Sequence, residues 1–202
     1  MFDRTVIALL KPSLNLMAVP LVRLGVSAEA VTLAGFAIGM GAAVAIASGR
    51  PVLGLGLLLV SRLLDGLDGA VARLTTPTDR GAFLDITLDF LFYASIPLSF
   101  AIADPPENAL PAAVLLAGFV GATSTFLAFS VLAERRGLKS DDYPQKGIYY
   151  LGGLTEATET ILCFVLMCLW PEHFPVWAYG YAAMCAVTIM TRLAAGWHAL
   201  RG

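Results

Sequence analysis

Charged side chains are scarce in this sequence. Only 14% of the 202 residues are charged, whereas 58% are hydrophobic and the mean hydropathy is +0.77. A water-soluble domain of this length carries roughly a quarter of its residues as charged side chains, so the composition excludes that class. It predicts an integral membrane protein in which residues 1–202 form one helical bundle and a single domain.

Basic tracts and paired cysteines are also missing. No Lys- and Arg-rich run offers a surface for nucleic acid, so membrane lipids are the expected partners. The three cysteines, Cys163, Cys168 and Cys185, lie in apolar runs without CxxC spacing. This arrangement argues against a disulfide framework and against a cysteine metal site, and it is typical of small buried side chains.

Six apolar segments are about long enough to cross a membrane as helices. They cover residues 30–48, 52–73, 81–103, 110–133, 148–170 and 176–198. Residues 1–25 contain basic side chains and two prolines, which favours a juxtamembrane amphipathic helix lying in the membrane interface. The predicted fold is therefore all-α and polytopic, with six transmembrane helices and an N-terminal interfacial helix.

Basic residues are distributed unevenly between the two sides of this predicted topology. Six spans place both termini on one side, and Arg50 is alone among basic residues in the opposite loops. The remaining loops and termini hold ten others: Arg4, Lys11, Arg23, Arg73, Arg80, Arg135, Arg136, Lys139, Lys146 and Arg201. By the positive-inside rule, the termini and the connection after the second span are cytoplasmic, at the inner or plasma membrane if the protein is bacterial.

Four aspartates interrupt the apolar pattern in the second and third segments. Asp65 and Asp68 are three residues apart, and Asp85 and Asp89 are four apart, so each pair occupies one helix face. A carboxylate at membrane depth costs at least ~2.5 kcal/mol, so four of them indicate a function. Oxygen-only ligands suit Mg²⁺ or Mn²⁺, and the lack of His and Cys argues against zinc.

Small residues and one arginine surround these aspartates. Arg73 lies at the end of the second segment and can hold a phosphate with two hydrogen bonds. The small residues admit a bulky ligand close to the backbone: Gly66, Gly69, Ala70, Ala72 and Gly81. Together with a metal that bridges phosphate oxygens, this set fits a pyrophosphate-containing substrate and phosphoryl-type transfer.

Eight of these residues together resemble the signature of the CDP-alcohol phosphotransferases. The pattern of that family is Asp, two residues, Asp-Gly, two residues, Ala-Arg, a linker usually of eight, Gly, three residues, Asp, three residues and Asp. Every fixed residue is present: Asp65, Asp68, Gly69, Ala72, Arg73, Gly81, Asp85 and Asp89. The linker here, residues 74–80, has seven residues. The six-helix layout extends the resemblance across the chain.

The resemblance implies roles for these positions. Asp65, Asp68 and Asp85 would bind one or two divalent ions with help from Asp89, and Asp89 would also be the catalytic base. The CDP moiety would lie in a cradle that the family builds at the motif and near the first span: Gly69, Ala72, Arg73, Gly81, Gly25, Val26, Ser27 and Thr32. Ala28 and Glu29 stand where the family often has Pro-Asn.

Residues for the second substrate are less specific. Glu156 and Glu159 either line an acceptor site or pair with Arg62 and Arg192 inside the bundle, and the sequence leaves both readings open. The basic residues Arg135, Arg136, Lys139 and Lys146 are typical of cytoplasmic topology determinants and anionic-lipid contacts. A sharper hypothesis is that Lys146 binds an acceptor phosphate, with Arg135 and Arg192 as further candidates on the acceptor side.

The resemblance implies an enzyme of phospholipid biosynthesis. It would transfer a phosphatidyl group from CDP-diacylglycerol to a small hydroxyl acceptor, such as glycerol phosphate or inositol phosphate, and release CMP. One alternative is a CDP-amino-alcohol phosphotransferase acting on diacylglycerol. Outside the class, a divalent-cation transporter would also place acids in helices. Members of the family are often dimers, so a homodimer is a further expectation.

Overall fold

A computed structural model describes residues 3–137 and 153–200, with side chains described from Leu9 onward. Within these ranges all regular structure is helical, and no strand is present. The elements are α1 (Asp3–Arg23), α2 (Ala28–Ala47), α3 (Pro51–Leu74), α4 (Asp79–Ala103), α5 (Pro105–Arg135), α6 (Ala157–Leu169), a 3₁₀ turn (Pro171–His173) and α7 (Phe174–Ala199). The predicted all-α class is confirmed.

Local sequence signals set the helix boundaries near the site. The backbone N–H of Ala30 donates to the Ser27 hydroxyl at 3.2 Å, which caps α2, and the N–H of Gly81 donates to the Thr78 hydroxyl at 3.0 Å, which caps α4. Gly49 follows α2 at a φ of 75°, a conformation that favours glycine, and Pro51 opens α3. These signals leave four residues, 75–78, between α3 and α4.

Four stretches of the described chain are long and apolar enough to cross a membrane. They are Ala28–Ala47, Asp79–Ala103, Pro105–Arg135 and Pro171–Ala199. The second half of α3 carries several charges, and α6 has 13 described residues, so neither fits a simple transmembrane pattern. The structure thus supports a membrane protein with four candidate spans. The count of six spans and the interfacial position of α1 stay predictions.

The N-terminal helix packs directly against the helix that carries the first two aspartates. A Cβ added to Gly66 would lie 3.1 Å from Leu14, so α1 and α3 are in close contact at this level. Further along, a buried apolar cluster joins α1, α2 and α3: Ala18, Val31, Leu67, Ala70 and Val71. One face of α3 is therefore held by α1.

Aromatic side chains fill the interior between α4 and the last helices. The rings of Phe92 and Phe164 are both fully buried and meet edge to face, with centroids 6.5 Å apart. At the far end of α4, Phe100 stacks on Phe174 with centroids 4.7 Å apart. This packing fixes α4 against α6 and α7, and so it fixes the level of Asp85 and Asp89 in the bundle.

Glycine allows α2 to approach the two site helices closely. A Cβ on Gly39 would lie 2.6 Å from the Phe92 ring and 2.8 Å from the Ser61 hydroxyl oxygen. A Cβ on Gly35 would lie 3.1 Å from Leu64 and 3.7 Å from the backbone nitrogen of Asp65. The backbone of α2 is thereby seated against α3 and α4 beside the aspartates.

Gly39→Ala is expected to destabilise the fold by about 1–3 kcal/mol, because the added methyl overpacks a contact in which a buried ring must move. Thermal unfolding in detergent micelles measures this change. Gly56→Ala is the matched control, since nothing lies within 4 Å of a Cβ at Gly56. Equal unfolding temperatures for the two variants would contradict the close approach of α2 to α4.

Candidate active site

The short connection between α3 and α4 brings three carboxylates together. One carboxylate oxygen from each of Asp65, Asp68 and Asp85 lies within 4.8 Å of the others. Asp68 is buried, Asp65 is half-buried and Asp85 is exposed, so the cluster opens to one side. Three oxygen ligands at this separation fit a hard divalent cation such as Mg²⁺ or Mn²⁺, whereas without a cation they repel one another.

Thr32 of α2 contacts the most buried of these carboxylates. Its hydroxyl oxygen lies 2.5 Å from Oδ2 of Asp68 and donates a hydrogen bond to it. Both side chains are buried, with residue exposures of 8% for Thr32 and 5% for Asp68. The resemblance placed Thr32 beside the nucleotide, and the structure places it against a carboxylate of the predicted metal site. It fixes the orientation of Asp68 from outside the ligand set.

Thr32→Val is expected to weaken Mn²⁺ binding ~10-fold, a loss typical of removing an outer-shell hydrogen bond to a metal ligand. Valine keeps the shape of threonine but cannot donate to Asp68. Titration of the purified protein with Mn²⁺, followed by electron paramagnetic resonance, measures the dissociation constant. Thr32→Ser keeps the hydroxyl and should bind Mn²⁺ as wild type does; equal weakening in both variants would show that the hydrogen bond is unimportant.

Asp89 lies one helical turn beyond Asp85 and is engaged by an arginine. Nη1 of Arg62 lies 2.5 Å from Oδ1 of Asp89 and 3.5 Å from Oδ1 of Asp65. These three side chains line a small cavity between α2, α3 and α4, together with Thr32, Gly35, Phe36, Asp85 and Leu88. The three-residue spacing of Arg62 and Asp65 on α3 indicates their 3.5 Å contact from the sequence, whereas no local pattern indicates the shorter contact with Asp89.

Four of the residues predicted to cradle the nucleotide, Gly69, Ala72, Arg73 and Gly81, lie at the end of α3 and the start of α4. Arg73 folds back along α3, and its Nη1 lies 3.2 Å from the place where a Cβ on Gly69 would stand. Any larger residue at position 69 would push the guanidinium aside. Ala72 is half-buried on the same helix, and Gly81 lies in the first turn of α4, where its N–H donates to the Thr78 cap. Small residues thus leave space beside an exposed arginine.

Glu29 ties the start of α2 to the connection between α3 and α4. Its Oε1 accepts hydrogen bonds from the Thr78 hydroxyl at 3.1 Å and from Nη2 of Arg80 at 3.4 Å. The Arg80 side chain is 78% exposed, so that ion pair adds little stability. The contact with Thr78 positions the cap of α4. The family often has asparagine at this position, and in this chain Glu29 makes the contact.

Two candidates for the acceptor side, Glu156 and Arg192, approach each other at Gly153, where an added Cβ would lie 3.2 Å from Nη2 of Arg192. Glu156 precedes α6 and accepts a hydrogen bond from the N–H of Gly153 at 3.3 Å. Arg192 is buried in α7 and donates to the carbonyl oxygen of Ala122 at 3.0 Å. Glu159 lies one turn into α6 and is half-buried, and Arg135 is exposed at the end of α5. Lys146 lies outside the described residues, as do Lys139 and Arg201.

The structure thus combines apolar helices of membrane-spanning length with a carboxylate cluster suited to a divalent cation. Residues 26–194 match the family model of the CDP-alcohol phosphatidyltransferases. The chain belongs to this family. The matched range runs from just before α2 to the second half of α7, so it includes every aspartate of the motif.

Two relatives and one solved structure illustrate the similarity. The chain is 46% identical over 201 residues to the inner membrane protein YnjF of Escherichia coli, covering 100% of this chain and 98% of that one. It is 46% identical over 70 residues to archaetidylinositol phosphate synthase of Methanothermobacter thermautotrophicus, covering 34% and 36% of the two chains. Mycobacterium tuberculosis phosphatidylinositol phosphate synthase, in complex with manganese and citrate, superposes with a TM-score of 0.72 at 24% identity, over 91% of this chain and 88% of that one. At this identity the superposition shows the shared fold.

Proposed function

We propose that this protein transfers a phosphatidyl group from CDP-diacylglycerol to a small hydroxyl acceptor and releases CMP. The observation that carries the proposal is the cluster of Asp65, Asp68 and Asp85 in a chain of the CDP-alcohol phosphatidyltransferase family. The Mycobacterium tuberculosis neighbour has also been solved with CDP-diacylglycerol bound, with a TM-score of 0.70. That likeness supports the same donor here.

In the proposed reaction, Asp89 takes the proton of the acceptor hydroxyl. The acceptor oxygen then bonds to the phosphorus that carries the diacylglycerol, and the bond from that phosphorus to the CMP oxygen breaks, so CMP leaves with the electron pair. Asp65, Asp68 and Asp85, with help from Asp89, would hold Mg²⁺ or Mn²⁺, and the ion would supply neutralisation of the diphosphate charge. Arg73, with Gly69, Ala72 and Gly81 beside it, would bind the CDP moiety.

We place this site at the cytoplasmic face of the membrane. The basic residues that flank α3, α4 and the end of α5 support this side under the positive-inside rule. The acyl chains of the donor would then stay in the apolar bilayer while its head group reaches the aspartates. A homodimer stays a proposal from the family resemblance alone.

The residues that would bind the acceptor are proposed from their chemistry. Lys146, Arg135 and Arg192 would suit an acceptor that carries phosphate, such as glycerol phosphate or inositol phosphate. Glu156 and Glu159 would suit hydroxyl groups. Arg62 contacts Asp65 and Asp89, which associates it with the carboxylate centre.

An acceptor screen tests the proposed function. Purified protein in lipid nanodiscs is given CDP-diacylglycerol, Mg²⁺ or Mn²⁺ and one alcohol at a time, and CMP release is measured. We expect release with at least one small hydroxyl acceptor and none without metal. Release from CDP-choline with diacylglycerol instead would favour the amino-alcohol reaction, and metal flux into liposomes without any nucleotide turnover would favour a transporter.

A further inference from the structure

Arg62 lies outside the motif residues, yet it makes a close charged contact with Asp89. Its side chain is only 9% exposed, and its Nη1 reaches Oδ1 of Asp89 at 2.5 Å. Its Nη2 lies 3.3 Å from the Ser61 hydroxyl oxygen, which accepts a hydrogen bond. A buried arginine that faces carboxylates predicted to bind a divalent cation carries the same charge sign as that cation. Its presence there requires an explanation.

Two aromatic rings of α4 fix the guanidinium in place. Its central carbon lies 3.8 Å from the centroid of the Phe92 ring and 5.6 Å from that of Tyr93. Phe92 is fully buried, and it also packs against Gly39 of α2. A planar guanidinium can stack on a ring and bind a carboxylate at the same time, whereas a lysine ammonium cannot present that geometry. The arginine is therefore held at one location beside Asp89.

The position of Arg62 divides the four aspartates into two groups. Asp65, Asp68 and Asp85 have oxygens that converge within 4.8 Å, whereas Asp89 is paired with the guanidinium. The ion pair uses Oδ1 of Asp89 and leaves Oδ2 for another partner. Asp89 is thereby set apart from the cluster.

We propose that Arg62 is a positioning residue for Asp89, an internal cation that holds one carboxylate oxygen of Asp89 and so presents the second oxygen to the acceptor hydroxyl. This inference rests on the proposed function, in which Asp89 takes the acceptor proton. The role belongs to Arg62 through Asp89, and Arg62 itself contacts no reacting atom. Because the guanidinium also lies 3.5 Å from Asp65, it weakens the attraction of the cluster for a divalent cation.

Arg62→Gln is expected to change metal binding and turnover in opposite directions. Loss of a positive charge beside Asp65 should tighten Mn²⁺ binding by about 3-fold or more, by Coulomb's law at a separation of a few ångströms. Loss of the contact that orients Asp89 should lower kcat ~10- to 100-fold, with the KM for CDP-diacylglycerol nearly unchanged. A merely structural arginine would, when removed, weaken metal binding and turnover together.

Three measurements on the full chain in nanodiscs test this inference: the Mn²⁺ dissociation constant from electron paramagnetic resonance, and kcat and KM from CMP release. Arg62→Lys keeps the charge but not the stacked fork, so it should bind Mn²⁺ like wild type and still turn over slowly. Arg50→Gln, at the exposed start of α3, is the matched control and should leave all three unchanged. Parallel loss in Arg62→Gln, or wild-type kcat in Arg62→Lys, would overturn the proposal.

A double variant tests whether Arg62 acts through Asp89. If it does, Arg62→Gln combined with Asp89→Asn should turn over no more slowly than Asp89→Asn alone. Multiplied losses would show that Arg62 acts by another route. Failure of this inference differs from failure of the proposed function, because in the latter case the wild-type protein itself would release no CMP.

Discussion

Asp89→Asn is expected to lower kcat for CMP release by ~10²–10⁴-fold, the range that a positioned general base contributes. Asparagine keeps the size of aspartate and still accepts a hydrogen bond from Arg62, but it cannot take the acceptor proton. CDP-diacylglycerol should still bind with nearly unchanged affinity, because Asp65, Asp68 and Asp85 retain their arrangement. Turnover and equilibrium binding of a fluorescent CDP analogue measure the two quantities separately.

The matched control for this change is Asp79→Asn. Asp79 begins the same helix and is exposed, and it is not among the clustered carboxylates. Its amide variant should retain wild-type turnover. Activity within a few-fold of wild type in Asp89→Asn would remove Asp89 as the base and would point to another group, such as a metal-bound oxygen, as the proton acceptor.

Asp85→Asn is expected to raise the stability of the metal-free protein and abolish its stabilisation by metal. Carboxylate oxygens within 4.8 Å of one another repel by about 1–3 kcal/mol per pair at effective dielectric constants between those of a protein surface and of water. Removal of one charge relieves this repulsion. The substitution also removes a metal ligand. Loss of an outer-shell partner weakens metal binding ~10- to 100-fold, and loss of a direct ligand should weaken Mn²⁺ binding further.

Thermal unfolding with and without Mn²⁺ measures both effects in one experiment. Wild type should gain about 2.7 kcal/mol at a Mn²⁺ concentration 100 times its dissociation constant, and Asp85→Asn should gain almost nothing there. Asp104→Asn, at the other end of α4, makes the same chemical change away from the cluster and should behave as wild type. A metal response that survives in Asp85→Asn would exclude a shared ion at this cluster.

The positions of α3 and α4, and the convergence of three aspartates, could be predicted from local sequence patterns. The second and third apolar segments, predicted at 52–73 and 81–103, appear as Pro51–Leu74 and Asp79–Ala103. Their ends are marked by proline, by the Thr78 cap and by short polar connections, which act within a few residues. Helical spacing then places Asp65 and Asp68 on one face, and a short connection brings Asp85 to them.

Other features depend on packing that the sequence does not encode locally. Arg62 lies 27 residues from Asp89 in the sequence, and it pairs with Asp89 because α4 packs against α3 at this level. The sequence alone left a pairing with Glu156 or Glu159 open. Thr32 reaches Asp68 across 36 residues because glycines allow α2 to pack closely. No pattern in residues 1–25 predicts that Leu14 of α1 packs against Gly66 of α3. Each of these contacts joins separate helices, so it required the tertiary arrangement.

The Thr78 cap has a consequence for how the chain between α3 and α4 can vary. Helix α4 starts at this hydroxyl, and the distances along the helix to Gly81, Asp85 and Asp89 are counted from it. Residues gained or lost at 75–77 therefore change the shape of the loop without rotating the carboxylates about the helix axis. Glu29 of α2 holds the same hydroxyl from the other side. A change of length at residues 75–77 would therefore leave the register of Gly81, Asp85 and Asp89 on α4 unchanged.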